Sequence, residues 1–580
     1  MQIIEQNPSR TIFRAMESSE ILDHDDTVRE SYSDSSFENV PLVLSWQRTN
    51  LLLSSETART VLIILVAAIL ESVAFSAGQD RFITFYQSFS ENETKSDGIR
   101  YHFLSLGASY CLSALIGLVV DSILGPYVTC VLLYLVYIIG MVLLEFAPGA
   151  HGDKTTMMVV GLIFTSIGFA GIETILPIYG ADQIQQHLKG VYIHWIYLGQ
   201  NLGIVIYNIM SILVNLLGDK KLFEQILPGT IGIVLSFLVF LSGSKWYSNS
   251  KLKSDRLLEV GKALAYRCGL RRRPSNWKSS NSSYYVRQKK NISIAKQLMR
   301  IVLVNSSVFG FSTIDAKVSN AYYVQQGGLN SVVEGADLTN DYPVMYYLLY
   351  SAELAAIIIV IPVLVICIYP ALYRRGYMIK YFPRMSLGLF FAALSIVAAV
   401  ILEYHRQQDC QQNNGNATLS AFWQVPQYFV LGVGESLTYV TGIEYAYLET
   451  PRGLRYLAMG LYNLAYGLGV LAAVLITVIV TKYRPEWYPQ DQALCPLGKH
   501  GIQNFLLILL FLLCILLVCF VSVALIVRRQ NRSKDSEDDE HSGPIYIRTS
   551  ASWMRSTSKD ETMVIGTPSY NGSSSDRTFY

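Results

Sequence analysis

The chain has 580 residues, is 51% hydrophobic and only 16% charged, and has a mean hydropathy of +0.31. Such values exclude a soluble multidomain protein and fit a polytopic membrane protein. A net charge of +2 says little about partners, and no nucleic acid is expected among them.

The first 58 residues are polar, with an acidic run at Asp23–Asp26. We read no signal peptide there, so the first hydrophobic span acts as its own insertion signal. Windows of about 20 apolar residues predict an all-α membrane protein with twelve transmembrane helices. They fall near 59–86, 102–120, 127–147, 156–180, 191–217, 227–243, 298–324, 344–369, 384–404, 422–447, 457–481 and 503–527.

The stretch from Lys245 to Arg300, after the sixth span, carries fifteen Lys or Arg against two acids. The positive-inside rule puts it in the cytosol. Arg374, Arg375, Lys380 and Arg384 after span eight agree, as do Arg528 and Arg529 after span twelve. Both termini are then cytosolic. The domain plan is a cytosolic tail (1–58), a six-helix bundle (59–244), a basic linker (245–297), a second six-helix bundle (298–527) and a disordered cytosolic tail (528–580). This 6+6 layout is that of the major facilitator architecture, in which substrate binds between two rocking halves.

Two sequons, at Asn92 and Asn416, fall in loops on the far side, where glycosylation occurs. Cys410 and Cys495 lie on that side too, and either form a disulfide or remain two free thiols.

Function is sought among intramembrane charges, because an ionisable group at bilayer centre costs about 2.5–3.5 kcal/mol on insertion scales. Glu435 stands near the middle of span ten, an apolar run, with Pro426, Gly432 and Gly434 just before it. Glu71 and Glu173 are equally deep. Held out of water, such carboxylates can load and release protons; the alternative is a Glu hydrogen-bonded to Tyr or Asn in a packed bundle. Asp315 and Lys317 make span seven unusually polar and predict that it lines the pathway. Asp121, beside Gly125, is expected to cinch a short loop. Glu444 lies nine residues past Glu435 on the opposite helix face, and is expected to pair with Arg452 or Arg455 as a structural or gating group. His102 and His194 are expected to be structural. No motif of an enzyme, metal site or cofactor is present: GVGES at Gly432–Ser436 puts Glu where a nucleophile elbow needs Ser.

Several stretches together resemble the proton-coupled oligopeptide transporter family, solute carrier family 15. GFAGIETILPIYGADQI (168–184) is similar to the family's span-four motif with its Asp182–Gln183 end. WIYLGQNLG (195–203) resembles a second signature, and Asp121, Gly125 and Thr129 match part of another. Gln424, Pro426, Glu435, Glu444, Tyr445 and Pro451 stand in register, and residues 371–406 look like the peptide/histidine branch. The resemblance implies symport of small peptides or amino acids such as histidine with protons, in an endolysosomal or plasma membrane. It implies substrate contacts at Glu435, Asn201, Tyr110 and Glu173, proton coupling at Glu71 and Glu173, and a structural or gating role for Asp182; the residues themselves add Asp315 to the coupling groups and Arg452 to the structural or gating ones. Three positions depart from the family. Its Glu-x-x-Glu-Arg becomes Ala68, Glu71 and Ser72. Its span-four lysine becomes Glu173, and Phe103 replaces an early span-two histidine. Three acids without the lysine predict a preference for cationic solutes. The competing expectation is a transport-impaired protein that scaffolds signalling adaptors at its tails or linker.

Overall fold

The computed structural model describes residues 55–89, 95–147, 154–185, 188–217, 228–248, 283–330, 332–333, 336–337, 342–375, 377, 380–413, 418–451, 453–487 and 501–541. The expectations for Asn92, Asn416, Arg452 and Cys495 lie outside these residues, as does the side chain of Lys317.

The helices follow in order: α1 (Ser55–Phe89), α2 (Lys95–Val119), α3 (Pro126–Phe146), α4 (Lys154–Asp182), α5 (Lys189–Leu217) and α6 (Pro228–Ser242). After the basic stretch come α7 (Ser283–Gln326), α8 (Tyr342–Pro362), α9 (Tyr381–Gln412), α10 (Val425–Leu448), α11 (Arg455–Tyr483) and α12 (Gly501–His541). A short antiparallel pair, β1 (Val332–Val333) and β2 (Ala336–Asp337), lies between α7 and α8. The chain parts into two units, Met1–Ala524 and Leu525–Tyr580. The second holds the continuation of α12 to His541, helical where a tail was expected.

Each predicted span coincides with a helix, and among the described residues ten helices are long and apolar enough to cross a membrane. The other two differ for opposite reasons. Within α6 the apolar part, Gly229–Ser242, is short. In α10 every residue from Ser436 to Tyr447 is buried, yet Thr438, Tyr439, Thr441 and Glu444 are among them. So α10 is not the apolar run expected: it is polar on several faces because protein, not lipid, surrounds it.

Local chemistry shapes the ends. A π-helical turn (Val120–Leu124) ends α2, and Gly125 alone separates it from Pro126 at the start of α3. Gly125 has φ of 77°, which side-chain-bearing residues rarely adopt, while proline at N1 loses no helical hydrogen bond. After Pro362, α8 continues through a π-helical stretch (Val363–Ile368) into Tyr369–Arg374.

Similar relays hold the two sets of helices. In the first, Tyr134 meets Ser236 at 2.9 Å and Ser236 donates to the Ala67 carbonyl at 2.7 Å. In the second, Tyr322 meets Ser395 at 2.6 Å and Ser395 donates to the Gln427 carbonyl at 2.7 Å. Since each serine has one proton, the tyrosines are the donors to serine. The halves meet chiefly where α2 packs on α11 and α5 on α8. The α2–α11 seam is close because Gly117 lies against the Tyr456 backbone and Gly460 against that of Ser113. A Cβ at either would clash with main chain, so small residues set the approach.

Candidate functional site

The intramembrane acids gather in two groups, one in each half. Glu71 on α1 and Glu173 on α4 are close enough to interact as like charges. Gln200 on α5 donates to Glu173 at 2.7 Å. In the other half, Asp315 on α7, Glu353 on α8 and Glu435 on α10 form a triad. Glu353 and Glu435 interact as like charges, and Oε2 of Glu353 has no hydrogen-bond partner among the described residues. Tyr439 donates to Asp315 at 3.3 Å. Among the described residues none of these five acids has a cationic partner within ion-pair distance.

The two groups are linked across the halves. Tyr197 of α5 donates to Glu435 of α10 at 2.5 Å, and Asn463 of α11 donates to Thr174 of α4 at 3.1 Å. A run of rings crosses the same divide. Phe169 and Tyr110 have centroids 5.3 Å apart, Tyr110 and Tyr466 4.5 Å, and Tyr466 and Tyr439 5.2 Å. Glu173, Asp315, Glu435, Tyr110, Tyr197 and Tyr466 stay partly accessible in the middle of the bundle. They therefore border interior space, whereas Glu71 and Glu353 are each 2% exposed.

A second polar assembly lies at the end assigned to the cytosol by charge. Asp182, at the end of α4, accepts from Arg455 at 2.9 Å, from Tyr447 at 2.7 Å and from Tyr456 at 3.1 Å. Lys189 of α5 lies 3.6 Å from the same carboxylate and donates to Tyr447 at 2.8 Å. Asp182 and Lys189 belong to one half; Arg455, Tyr447 and Tyr456 belong to the other. Asp121 corrects its expectation: its carboxylate reaches across to accept from the Leu457 amide at 2.8 Å. It thereby caps the first turn of α11, where free N–H groups and the helix dipole favour an anion.

Glu444 is likewise a structural ion pair, with a different partner. It meets Arg384 at 2.9 Å, both side chains buried, while Arg455 is committed to Asp182. The Arg384 guanidinium also lies 5.2 Å from the centroids of Tyr369 and Tyr381. So Arg384 is part of the packed bundle. His194 sits beside this pair; its Nδ1 is 2.8 Å from the Gly190 carbonyl and its ring meets Tyr369 edge-on. His102 packs edge-on to Phe103.

Residues 127–489 match the model of the POT family, more than half of the chain. The chain belongs to the POT family. This POT-family protein is therefore a multi-pass membrane transporter and not an enzyme. It is similar to solute carrier family 15 member 3 of Mus musculus, 24% identical over 510 residues, covering 76% of this chain and 86% of that relative. The Rattus norvegicus counterpart is 24% identical over 552 residues, covering 83% and 93%. Among solved structures, the POT family transporter PepTSo superposes with a TM-score of 0.59 at 18% identity, covering 82% of this chain and 98% of that one. An auto-inhibited POT family peptide transporter gives 0.57 at 17% identity, covering 81% and 97%.

Of the residues singled out in the sequence, the fold of this POT-family chain brings Glu71, Glu173, Tyr110, Asp315 and Glu435 around one interior region. Asn201 is buried and its amide donates to the Tyr197 carbonyl of its own helix at 2.9 Å. Cys410 is disulfide-bonded, and its partner lies outside the described residues. Glu353, Tyr197 and Gln200 escaped sequence reading. For Glu353 the signal was present, since an acid in the apolar run LLYSAELAAIIIV is as anomalous as Glu435. Tyrosine and glutamine carry no such signal, because both are tolerated on many helix faces.

Proposed function

We propose that this protein is a proton-coupled secondary transporter of small amine-bearing solutes, peptides or amino acids such as histidine, with a preference for cationic ones. The observation that carries the reading is the hydrogen bond that Tyr197 of one half donates to Glu435 of the other at 2.5 Å, beside the like-charged Glu353 and Asp315. An ammonium group arriving at Glu435 competes with protons for that carboxylate and with Tyr197. Its entry therefore links solute, proton and the contact between halves, as alternating access requires. Glu71 and Glu173 form a second proton-binding group, and Asp315 belongs to the first. Asp182 with Arg455, and Asp121 with the start of α11, act as the closure that must part when the opposite state forms.

The cationic preference follows from electrostatics. A zwitterion's carboxylate placed near Glu173 meets repulsion where a lysine would attract it, and like charges in such a site cost several kcal/mol. The membrane is endolysosomal or plasma, with both termini cytosolic. Uptake into proteoliposomes tests the reading. Accumulation should rise when the outside is acidic, and Glu435→Gln should abolish it. Anionic or zwitterionic peptides outcompeting cationic ones would remove the cationic preference.

Ser72 in place of the family's arginine and Glu173 in place of its lysine favour a second reading. In it the fold is retained as a signalling scaffold whose linker and tails dock adaptors. No pH-driven uptake of any amine or peptide, together with loss of a signalling output on deleting 245–282 or 542–580, would select it.

A further inference from the structure

We propose that the interior space between the two carboxylate groups binds a linear diamine, with one ammonium at Glu71–Glu173 and the other at Asp315–Glu435. This rests on the cationic reading above and sharpens it to a substrate class.

Three observations converge. First, the acids are divided between the halves, and among the described residues neither group has a cation to neutralise it. A solute with a single ammonium satisfies one group and leaves the other; an amino acid or dipeptide also brings an anion, which then faces the second group. A diamine supplies a cation to each end and no anion. Second, the path between the groups is aromatic. Tyr110 of α2 and Tyr466 of α11 meet at 4.5 Å between ring centroids and are both partly accessible. Such a surface accommodates methylenes on its faces and attracts the adjoining ammonium groups. Third, the first group is incomplete apart from its charge. Tyr137 is fully buried and lies within electrostatic reach of Glu71 and Glu173. Among the described residues its hydroxyl and Oε1 of Glu71 both lack a hydrogen-bond partner. Buried polar atoms are rarely left so, and an ammonium with three N–H donors can serve several acceptors at once.

The experiment uses the full chain, purified into lipid nanodiscs. Putrescine, cadaverine and 1,3-diaminopropane are compared with butylamine and with glycylglycine in a binding assay read by thermal stabilisation. One diamine should bind at least about tenfold more tightly than butylamine, the value of one further charge-assisted contact. An optimum in chain length is expected. Glu173→Gln and Glu435→Gln should each bring that diamine to within about threefold of butylamine. Equal affinities for butylamine and every diamine in the unaltered protein would overturn two-ended binding, whether or not the variants fold, and would leave the cationic reading standing. Glycylglycine binding while every amine fails would overturn both.

Discussion

Tyr197 and Glu435, 238 residues apart in the chain, share a hydrogen bond of 2.5 Å that joins α5 of one half to α10 of the other. It ties a partly accessible carboxylate directly to the contact between halves. Replacing Tyr197 with Phe keeps the ring and removes the donor. Uptake at low solute concentration should fall about tenfold, the scale of a hydrogen bond to a charged group. The dependence on the pH gradient should weaken, whereas thermal stability should change little. An unchanged pH profile in proteoliposomes would separate Tyr197 from coupling.

Arg384 and Glu444 should behave as one structural unit. Removing either alone, by Arg384→Met or Glu444→Gln, leaves a buried partner uncompensated, which costs about 3–5 kcal/mol. Removing both with apolar residues of similar size should recover most of that loss. Thermal unfolding in detergent would show the non-additivity. Additive losses would mean that the two side chains do not depend on one another.

Asp182 collects three donors from the opposite half, so Asp182→Asn should loosen that end of the bundle. We expect several-fold faster labelling of a reporter introduced as Leu448→Cys, using a membrane-impermeant thiol reagent applied from the side assigned to the cytosol. Slower labelling, or faster labelling only from the other side, would contradict a closing role.

For Cys410 the partner we propose is Cys495. Peptide mapping without reductant should recover the two as a linked pair. Cys410→Ser should lower stability by about 2–4 kcal/mol, and Cys495→Ser by the same amount. Unequal effects would point to a different partner.

Every stretch expected to span the membrane contains a helix because apolar length is a local property. A run of about 20 such residues has few other stable states in a bilayer. Asp182 illustrates a middle case: its motif marked it as important, but nothing local indicated that its donors would come from α10 and α11. Charge groups Arg384 with Arg374, Arg375 and Lys380 in the loop after span eight; those three are exposed, whereas Arg384 is buried. Its burial depends on where α9 begins and on the rings of Tyr369 and Tyr381. Conversely α10, the most informative stretch in the sequence, is the helix whose apolar character was most overstated. Its burial comes from surrounding helices, which supply Arg384 to Glu444 and Tyr197 to Glu435.

The sequence by itself determined the helical membrane architecture, the family, and the presence of acids that lipid would not tolerate. Only the tertiary structure decided how those acids are distributed. Whether a carboxylate meets Arg384, Tyr197 or another carboxylate depends on how each helix is rotated about its axis and which helix it faces. Those choices are made by packing between segments tens to hundreds of residues apart. Glu353 and Glu435 make the point: each is an isolated acid in its own span, and they become neighbouring like charges only when α8 and α10 pack together.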